Sequence, residues 1–187
     1  MKQWITVLVI SVILSGCDSV TTTMETPVDA NDALKADSLR GDTVAVIFKD
    51  SSDIDTKNVV PENLVAFAKT LIGVPYKYAS ADPSQGFDCS GFITYVFNHF
   101  NIEVPRSSID FTNVGTAVDK AMAKPGDLIL FTGTDTLETH VGHMGIVTEN
   151  TDSLRFIHST SGKKYGVTIT PLNEYYLKRF VKVVRVF

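Results

Sequence analysis

The sequence predicts an α+β domain in which helices come first and an antiparallel β-sheet of about five strands follows. Hydrophobic residues repeat at helical spacing over 61–72 and again over 88–100. After Pro125, Gly126 and Asp127 the pattern changes to short apolar runs separated by turn residues, as in strands. The 187-residue chain is 44% hydrophobic, so it has room for one such domain with appendages.

Three helices are predicted before the sheet. Pro61 suits the first turn of the first helix, and Gly73 marks its end. The second helix begins near Asp88, a candidate N-cap, and carries one apolar face that we expect to pack on the sheet. A third, shorter helix is predicted over 107–114.

Five segments are predicted to be strands, namely 128–131, 143–149, 154–158, 166–170 and 180–187. Residues 150–153 have turn chemistry, so the second and third strands are expected to form a hairpin. If Val147 faces Leu154, then His143 faces His158 on one face of the sheet. A shift of one residue would move one histidine to the opposite face.

The N-terminal segment is interpreted as an export and anchoring signal. Its apolar run is shorter than the roughly 20 residues of a spanning helix, and a buried N-terminal helix or strand is the alternative. The sequence Leu14-Ser15-Gly16-Cys17 resembles the lipobox of bacterial lipoproteins. This predicts a signal peptide over 1–16, acylation of Cys17 and attachment to a membrane in the periplasm or at the cell surface. The polar residues 17–58 would then form a tether, and 59–187 the domain.

The distribution of charge argues against nucleic-acid binding. Residues 59–187 carry twelve acidic and twelve basic side chains, and the acidic excess lies in the segment before them. The domain therefore has no basic patch of the kind that nucleic acids need. Arg179, Lys182 and Arg185 are expected on a solvated strand face, and the protein is expected to be a monomer.

Cys89 is a candidate nucleophile. The chain has two cysteines, so acylation of Cys17 would leave Cys89 unpaired, which is unusual in an exported protein. Cys89 follows Asp88 in the first turn of the second helix, where free N–H groups and the helix dipole favour an anion. We therefore expect the pKa of this thiol to lie well below about 8.5, and Gly86 and Gly91 to leave room for a substrate. A buried structural cysteine is the alternative.

A thiolate nucleophile needs a base, and the chain has four histidines. His99 lies late in the second helix, about 15 Å along its axis from Cys89. The strand pattern begins at His143, which favours it over His140 as the base, and His158 is placed to orient it. Cys89, His143 and His158 are also residue types that bind zinc, but their spacing lacks a short Cys-x-x-Cys or His-x-x-x-His pair. We therefore expect no metal and no other cofactor.

Five motifs resemble those of the NlpC family of bacterial cell-wall cysteine peptidases, in the family's order over about 59–187. They are Phe87-Asp88-Cys89-Ser90-Gly91-Phe92, Pro105-Arg106-Ser107-Ser108, Pro125-Gly126-Asp127-Leu128, His143-Met144-Gly145-Ile146-Val147 and Phe156-Ile157-His158-Ser159. The resemblance implies Cys89 as nucleophile, His143 as base and His158 as the third, orienting member. It also implies that Tyr76 lies in the catalytic site, where it could help to hold the oxyanion. Substrate contacts are expected from the motif residues Asp88, Ser90, Arg106 and Ser107.

The same resemblance implies a papain-like fold and a peptidoglycan hydrolase. The expected substrate is the stem peptide, cleaved between γ-D-glutamate and a diamino acid by thiolate attack and hydrolysis of the acyl-enzyme. An amidase or another acyl-transfer enzyme with the same triad is the alternative, and the intact triad disfavours a silent wall-binding module. Two departures bear on the cleft: Ala79-Ser80 replaces the family's usual Gly-Gly, and an insertion at 132–141 is expected to line or cover it.

Overall fold

The computed structural model describes residues 53–135 and 137–187. Cys17, the signal peptide over 1–16 and nearly all of the tether over 17–58 lie outside the described residues. No helix among the described residues is long and apolar enough to cross a membrane. The boundary between tether and domain stays a prediction, and Ile54 packs against the core just before it.

Three α-helices are present in the described chain, together with two short 3₁₀ helices at Ser108–Asn113 and Lys120–Met122. The α-helices are α1 (Pro61–Thr70), α2 (Cys89–Asn98) and α3 (Glu174–Leu177). Pro61 opens α1 as predicted, but the helix ends before Gly73. The third predicted helix is the first 3₁₀ helix. The four residues of α3 are too few to produce a hydrophobic period, so the sequence does not predict it.

Eight strands follow one another in the described chain: β1 (Ala81–Asp82), β2 (Gly86–Phe87), β3 (Thr116–Val118), β4 (Leu128–Thr132), β5 (Val141–Asn150), β6 (Leu154–Thr160), β7 (Gly166–Pro171) and β8 (Phe180–Arg185). β1 and β2 pair as a small hairpin before α2. The other six form one antiparallel sheet in the order β3-β8-β4-β5-β6-β7. The α+β prediction is confirmed, with one strand more than about five. The extra strand, β3, has only three residues, none of them buried, so it lacks an apolar run.

The register predicted for the hairpin of β5 and β6 is wrong by two residues. Val147 pairs with Phe156 and not with Leu154, and β5 carries a bulge just after Val147. A bulge places an extra residue in one strand, and sequence periodicity does not reveal it. Because side chains alternate with a period of two, the shift leaves His143 and His158 on one face, as predicted.

Hydrophobic side chains cover both faces of the sheet. One face packs on α1 and α2 through a core that includes Leu64, Phe92, Val96, Phe97, Leu130, Met144 and Ile157. The opposite face packs on α3 through a second core that includes Phe131, Val147, Phe156, Tyr176 and Val183. Both His143 and His158 contact the ring of Tyr176, so they belong to the second face.

Candidate active site

Cys89 is the first residue of α2. The Asp88 carboxylate caps the helix by accepting a hydrogen bond of 2.6 Å from the Gly91 N–H, so the predicted N-cap is confirmed. The Cys89 thiol is free and partly exposed, and its Sγ lies 3.8 Å from the carbonyl oxygen of Gly142. The thiol therefore faces the first residues of β5 across a cleft.

Gly86 and Gly91 serve backbone packing and not the substrate access that the sequence suggested. A Cβ on Gly91 would lie 2.1 Å from the carbonyl oxygen of Ser80. Gly86 has a φ of 120°, and a Cβ there would lie 2.5 Å from the carbonyl oxygen of Pro75. Both glycines thus allow the loop over 75–80 to press against the segment that carries Cys89.

A chain of hydrogen bonds runs through the two histidines. His143 Nε2 lies 2.8 Å from His158 Nδ1, and His158 Nε2 lies 2.9 Å from Thr170 Oγ1. If His143 Nε2 carries its proton, it donates to His158, and His143 Nδ1 keeps a lone pair. His143 and Cys89 line the same cavity, although no hydrogen bond joins them within the described chain. The predicted partners are therefore brought together at one end of the sheet.

Burial keeps both imidazoles neutral. It lowers the pKa of His143 to about 3, with a smaller contribution from the positive charge of Arg179. Burial also lowers the pKa of His158 well below its usual value, and His143 and Arg179 act in the same direction. An unfolded histidine has a pKa of about 6.5. The unfolded chain therefore binds more protons than the folded chain at any pH between that value and the folded pKa values.

This difference predicts a loss of stability in acid. The free energy of unfolding should fall as pH drops below about 6.5, by roughly 2 kcal/mol between pH 6 and pH 5 for the two imidazoles together. Urea unfolding at a series of pH values measures the slope. His158→Asn should reduce the slope by about 1 kcal/mol per pH unit, because it removes one of the two buried imidazoles. Equal slopes in wild type and His158→Asn would show that protonation of His158 does not cause the loss of stability in acid.

The pKa predicted for the Cys89 thiol is wrong in direction. Burial and the neighbouring Asp88 carboxylate raise the pKa of Cys89 to about 11, and they outweigh the backbone N–H groups that favour the thiolate. The sequence shows the helix terminus but not the packing around the sulfur. The free site therefore rests as a neutral thiol beside a neutral imidazole.

The predicted substrate-contacting residues form a polar cluster beside Cys89. Arg106 pairs with Asp88 through two contacts, Nη2–Oδ2 at 2.6 Å and Nη1–Oδ1 at 3.0 Å, and Nη1 also donates to Ser90 Oγ at 3.0 Å. Ser107 lies on the wall of the same cavity, which has a volume of about 500 Å³. We call this side of the cleft the Arg106 arm. Its one carboxylate is already neutralised by the guanidinium.

A second, larger cavity of about 840 Å³ lies on the other side of Cys89 and is lined by His143. We call it the His143 arm. Tyr76, Cys89 and Gly142 line both arms, so they stand at the junction. Burial and the neighbouring Cys89 raise the pKa of Tyr76, which keeps its hydroxyl protonated. The insertion predicted to line the cleft does so, because residues 133–135, 138 and 140 line the His143 arm.

Tyr176 is a site residue that the sequence did not reveal. It is buried, and its ring stacks on His143 with centroids 6.1 Å apart and meets His158 edge-on at 5.4 Å. Thr170, which ends the hydrogen-bonded chain, was also missed. Asn173 is the one indication of this element in the sequence, because it is a good N-cap residue and caps α3 just before a pair of tyrosines.

The late arginines do not lie on a solvated strand face. The guanidinium of Arg179 donates to the carbonyl oxygens of Thr132 and Gly133, at 2.6 Å and 3.1 Å for the shortest contacts. Arg185 pairs with the buried carboxylate of Asp127, at 2.7 Å between Nη2 and Oδ2. Both arginines therefore tie elements together, and the prediction was wrong for them because tertiary partners are not visible in the sequence.

The other two histidines lie outside the hydrogen-bonded chain. His99 stacks on Phe67 with ring centroids 3.6 Å apart, at the far end of α2. His140 is half exposed, and its Nδ1 lies 2.6 Å from Glu138 Oε2. Of the four, only His143 and His158 contact each other, and the role of His143 as base stays a prediction at this point.

Comparison with known protein families gives one match over most of the domain. The model of the NlpC/P60 family matches residues 73–186. The gamma-DL-glutamyl hydrolase of Bacillus subtilis (strain 168) is 38% identical over 127 residues, which are 64% of this chain and 28% of that protein. The probable peptidoglycan endopeptidase LytE of the same strain is 42% identical over 117 residues, 62% of this chain and 31% of that protein. The chain thus spans under a third of these two relatives.

The chain is also similar to a shorter relative and to two solved structures. The probable endopeptidase NlpC of Escherichia coli (strain K12) is 35% identical over 61% of this chain and 70% of its own length. An NlpC/P60 family protein from Bacillus cereus ATCC 10987 has a TM-score of 0.60 and 30% identity, covering 68% of this chain and 40% of that one. The NlpC/p60 domain of the peptidoglycan hydrolase SagA has a TM-score of 0.56 and 28% identity, covering 68% of this chain and 99% of that one.

Proposed function

The chain belongs to the NlpC/P60 family, and on that premise we propose that it is a cysteine peptidase that cleaves peptidoglycan stem peptides. The bond between γ-D-glutamate and a diamino acid is the proposed target. One observation carries the proposal: a free thiol at the start of α2 shares a cavity with the His143–His158–Thr170 chain. The names of relatives, a glutamyl hydrolase and peptidoglycan endopeptidases, support the substrate class.

Cys89 is the proposed nucleophile and His143 its general base. With a thiol pKa of about 11 and an imidazole pKa of about 3, a preformed thiolate–imidazolium pair is disfavoured in the free enzyme. His143 Nδ1 therefore takes the thiol proton as Sγ attacks the scissile carbonyl carbon. The imidazolium then gives this proton to the leaving amine nitrogen. Water, deprotonated by His143, hydrolyses the thioester and releases the thiol.

His158 is the proposed orienting residue. It accepts the Nε2 proton of His143, and this bond fixes the tautomer that leaves Nδ1 free for the thiol proton. Thr170 in turn accepts from His158 Nε2. The pair also stabilises positive charge that develops on His143 during attack, because the charge is shared along the chain.

Tyr76 and the helix terminus are proposed to hold the oxyanion. The hydroxyl of Tyr76 lies at the junction of the two arms and stays protonated, so it can donate a hydrogen bond. The backbone N–H of Cys89 is a second donor at the N-terminus of α2. In the Arg106 arm, Asp88, Ser90 and Arg106 are proposed to bind the acyl side of the substrate, with Ser107 beside them.

Digestion of purified peptidoglycan tests the function directly. Mass spectrometry of the soluble products should find new free α-amino groups on the diamino acid and new carboxyl groups on γ-D-glutamate. Products that retain intact stem peptides, or new termini at the sugar–peptide amide, would contradict the proposal and favour the amidase alternative. The Cys89→Ala protein is the matched control for contaminating activity.

Anchoring through Cys17 is proposed separately from the chemistry. We expect Cys17→Ser to move the protein from the membrane fraction to the soluble fraction, or to leave it unprocessed, because the thioether to lipid can no longer form. Cys89→Ser is the matched control, since it makes the same atomic change inside the domain and should stay with the membrane. Fractionation followed by immunoblotting measures both. Unchanged, lipid-dependent attachment of Cys17→Ser would refute the anchor.

A further inference from the structure

Cys89 and the two histidines of the site lie on different elements, so the packing of those elements sets the distances between them. Cys89 begins α2, His143 lies on β5 and His158 lies on β6. The thiol itself makes only a weak contact to β5, 3.8 Å from Sγ to the carbonyl oxygen of Gly142, because an S–H group is a poor hydrogen-bond donor. The distance between the thiol and the histidine pair must therefore be held by contacts outside the reacting groups.

A buried hydrogen bond from Ser159 is such a contact. The Ser159 hydroxyl donates to the carbonyl oxygen of Phe87 at 2.7 Å. Ser159 directly follows His158 on β6, and Phe87 precedes Cys89 by two residues. Both Ser159 and Phe87 are fully buried, so water does not compete for the bond. Among the described residues, it is the only hydrogen bond that joins β6 to the segment 86–89.

The backbone of Phe87 also holds the segment that carries Tyr76. The Phe87 carbonyl oxygen accepts a second hydrogen bond, of 3.0 Å, from the Lys77 N–H, and the Phe87 N–H donates to the carbonyl oxygen of Pro75 at 3.0 Å. A carbonyl oxygen has two lone pairs, so it accommodates both donors. Three segments that carry site residues therefore meet at Phe87, and the hydroxyl of Ser159 supplies the bond to β6.

Ser159 acts from the face of the sheet opposite to His158. Successive side chains on a strand point to opposite faces, and His158 lies on the second face against Tyr176. Ser159 therefore belongs to the face that packs on α1 and α2, where Phe87 lies in the core. Ser159 lines neither the Arg106 arm nor the His143 arm. Any effect of its hydroxyl on the reaction must pass through the position of the backbone.

We propose that Ser159 is a positioning residue that sets the distance between the Cys89 thiol and the histidine pair. Its hydroxyl holds the start of α2 against β6. This role rests on the proposed peptidase function and adds to it a residue outside both arms. Loss of the hydroxyl would let the thiol move relative to His143 without removing any group that takes part in the reaction. A displacement of about 1 Å can lower the rate of such a step by about 100-fold.

The kinetics of Ser159→Ala on labelled muropeptides test this role. We expect kcat to fall about 10- to 100-fold and KM to change less than about twofold, because the substitution moves the thiol but leaves the walls of both arms intact. The protein should stay folded, since the Phe87 carbonyl oxygen keeps the Lys77 N–H as its partner and is not left unpaired.

Thr148→Val is the matched control for the loss of a buried hydroxyl. The Thr148 side chain is buried, and its hydroxyl donates to the carbonyl oxygen of Arg155 at 3.2 Å. This bond also reaches β6, but Thr148 lies near the turn of the hairpin and lines neither arm. We expect the melting temperature of Thr148→Val to fall about as much as that of Ser159→Ala, with kcat unchanged.

Calorimetry gives the melting temperature of each variant, and rates are compared well below it so that unfolding does not contribute. The role of Ser159 would be overturned by unchanged kcat in Ser159→Ala, with or without a rise in KM, or by an equal loss of kcat in Thr148→Val. Each of these results would leave the proposed peptidase function standing. If wild-type protein cleaves no muropeptide, the proposed function fails and the role of Ser159 fails with it.

Discussion

Cys89→Ala is expected to abolish hydrolysis of peptidoglycan, with a loss in kcat of at least roughly 10⁴-fold. The proposed reaction passes through a thioester on Sγ, and alanine has no atom that can form it. The melting temperature should change little, because the side chain is small and part of it faces the cleft, so its removal leaves little unfilled space. Product release from labelled muropeptides measures activity, and calorimetry measures stability.

Alkylation gives a second measure of the same thiol. Because burial and Asp88 raise the pKa of Cys89, labelling by iodoacetamide should be slow at pH 7 and should keep rising towards pH 11. A labelling rate that is already maximal below pH 8, and that falls in His143→Ala, would indicate a preformed ion pair and contradict the neutral resting site. Activity that survives Cys89→Ala would instead indicate a structural cysteine and contradict the proposed nucleophile.

The position of the thiol could be predicted from the sequence because every signal for it is local. Asp88 precedes the apolar face of α2 by one turn, and N-cap preferences act over three residues. The shared face of His143 and His158 was also predicted, since it depends only on the period of two along each strand. The antiparallel sheet was likewise predicted from apolar segments separated by turn residues, apart from the short edge strand β3.

The features that the sequence did not predict depend on contacts between residues distant in sequence. The hairpin register was missed because a bulge after Val147 changes the pairing without changing the alternation of side chains. The thiol pKa was missed because burial by surrounding elements outweighs the helix terminus. Tyr176 was missed, and Arg179 was wrongly expected on a solvated strand face. Their partners, the histidine pair and the end of β4, lie on strands earlier in the chain, so the local sequence does not show these contacts.

The two histidines of the site are expected to differ in the size of their effect. His143→Ala should lower kcat by about 10⁴-fold or more, since it removes both the base for the thiol and the acid for the leaving amine. His158→Ala should cost about 10²- to 10⁴-fold, the range seen when the orienting member of a triad is lost. His140→Ala tests the alternative base, and His99→Ala is the control, because His99 lies at the far end of α2 outside both arms.

His158 is fully buried, so His158→Ala could lower activity simply by loosening the fold. His158→Asn separates the two causes, because its amide oxygen can accept the His143 Nε2 proton in place of Nδ1, which lies 2.8 Å away in the wild type. We expect His158→Asn to recover at least roughly tenfold of the kcat lost in His158→Ala, with KM nearly unchanged, because the bond acts on the orientation of the base and not on substrate binding. Rates are compared at pH 7 on protein shown by calorimetry to be folded. Equal kcat in the two variants would mean that His158 acts through packing alone, and full activity in His158→Ala together with a loss in His140→Ala would move the base from His143 to His140.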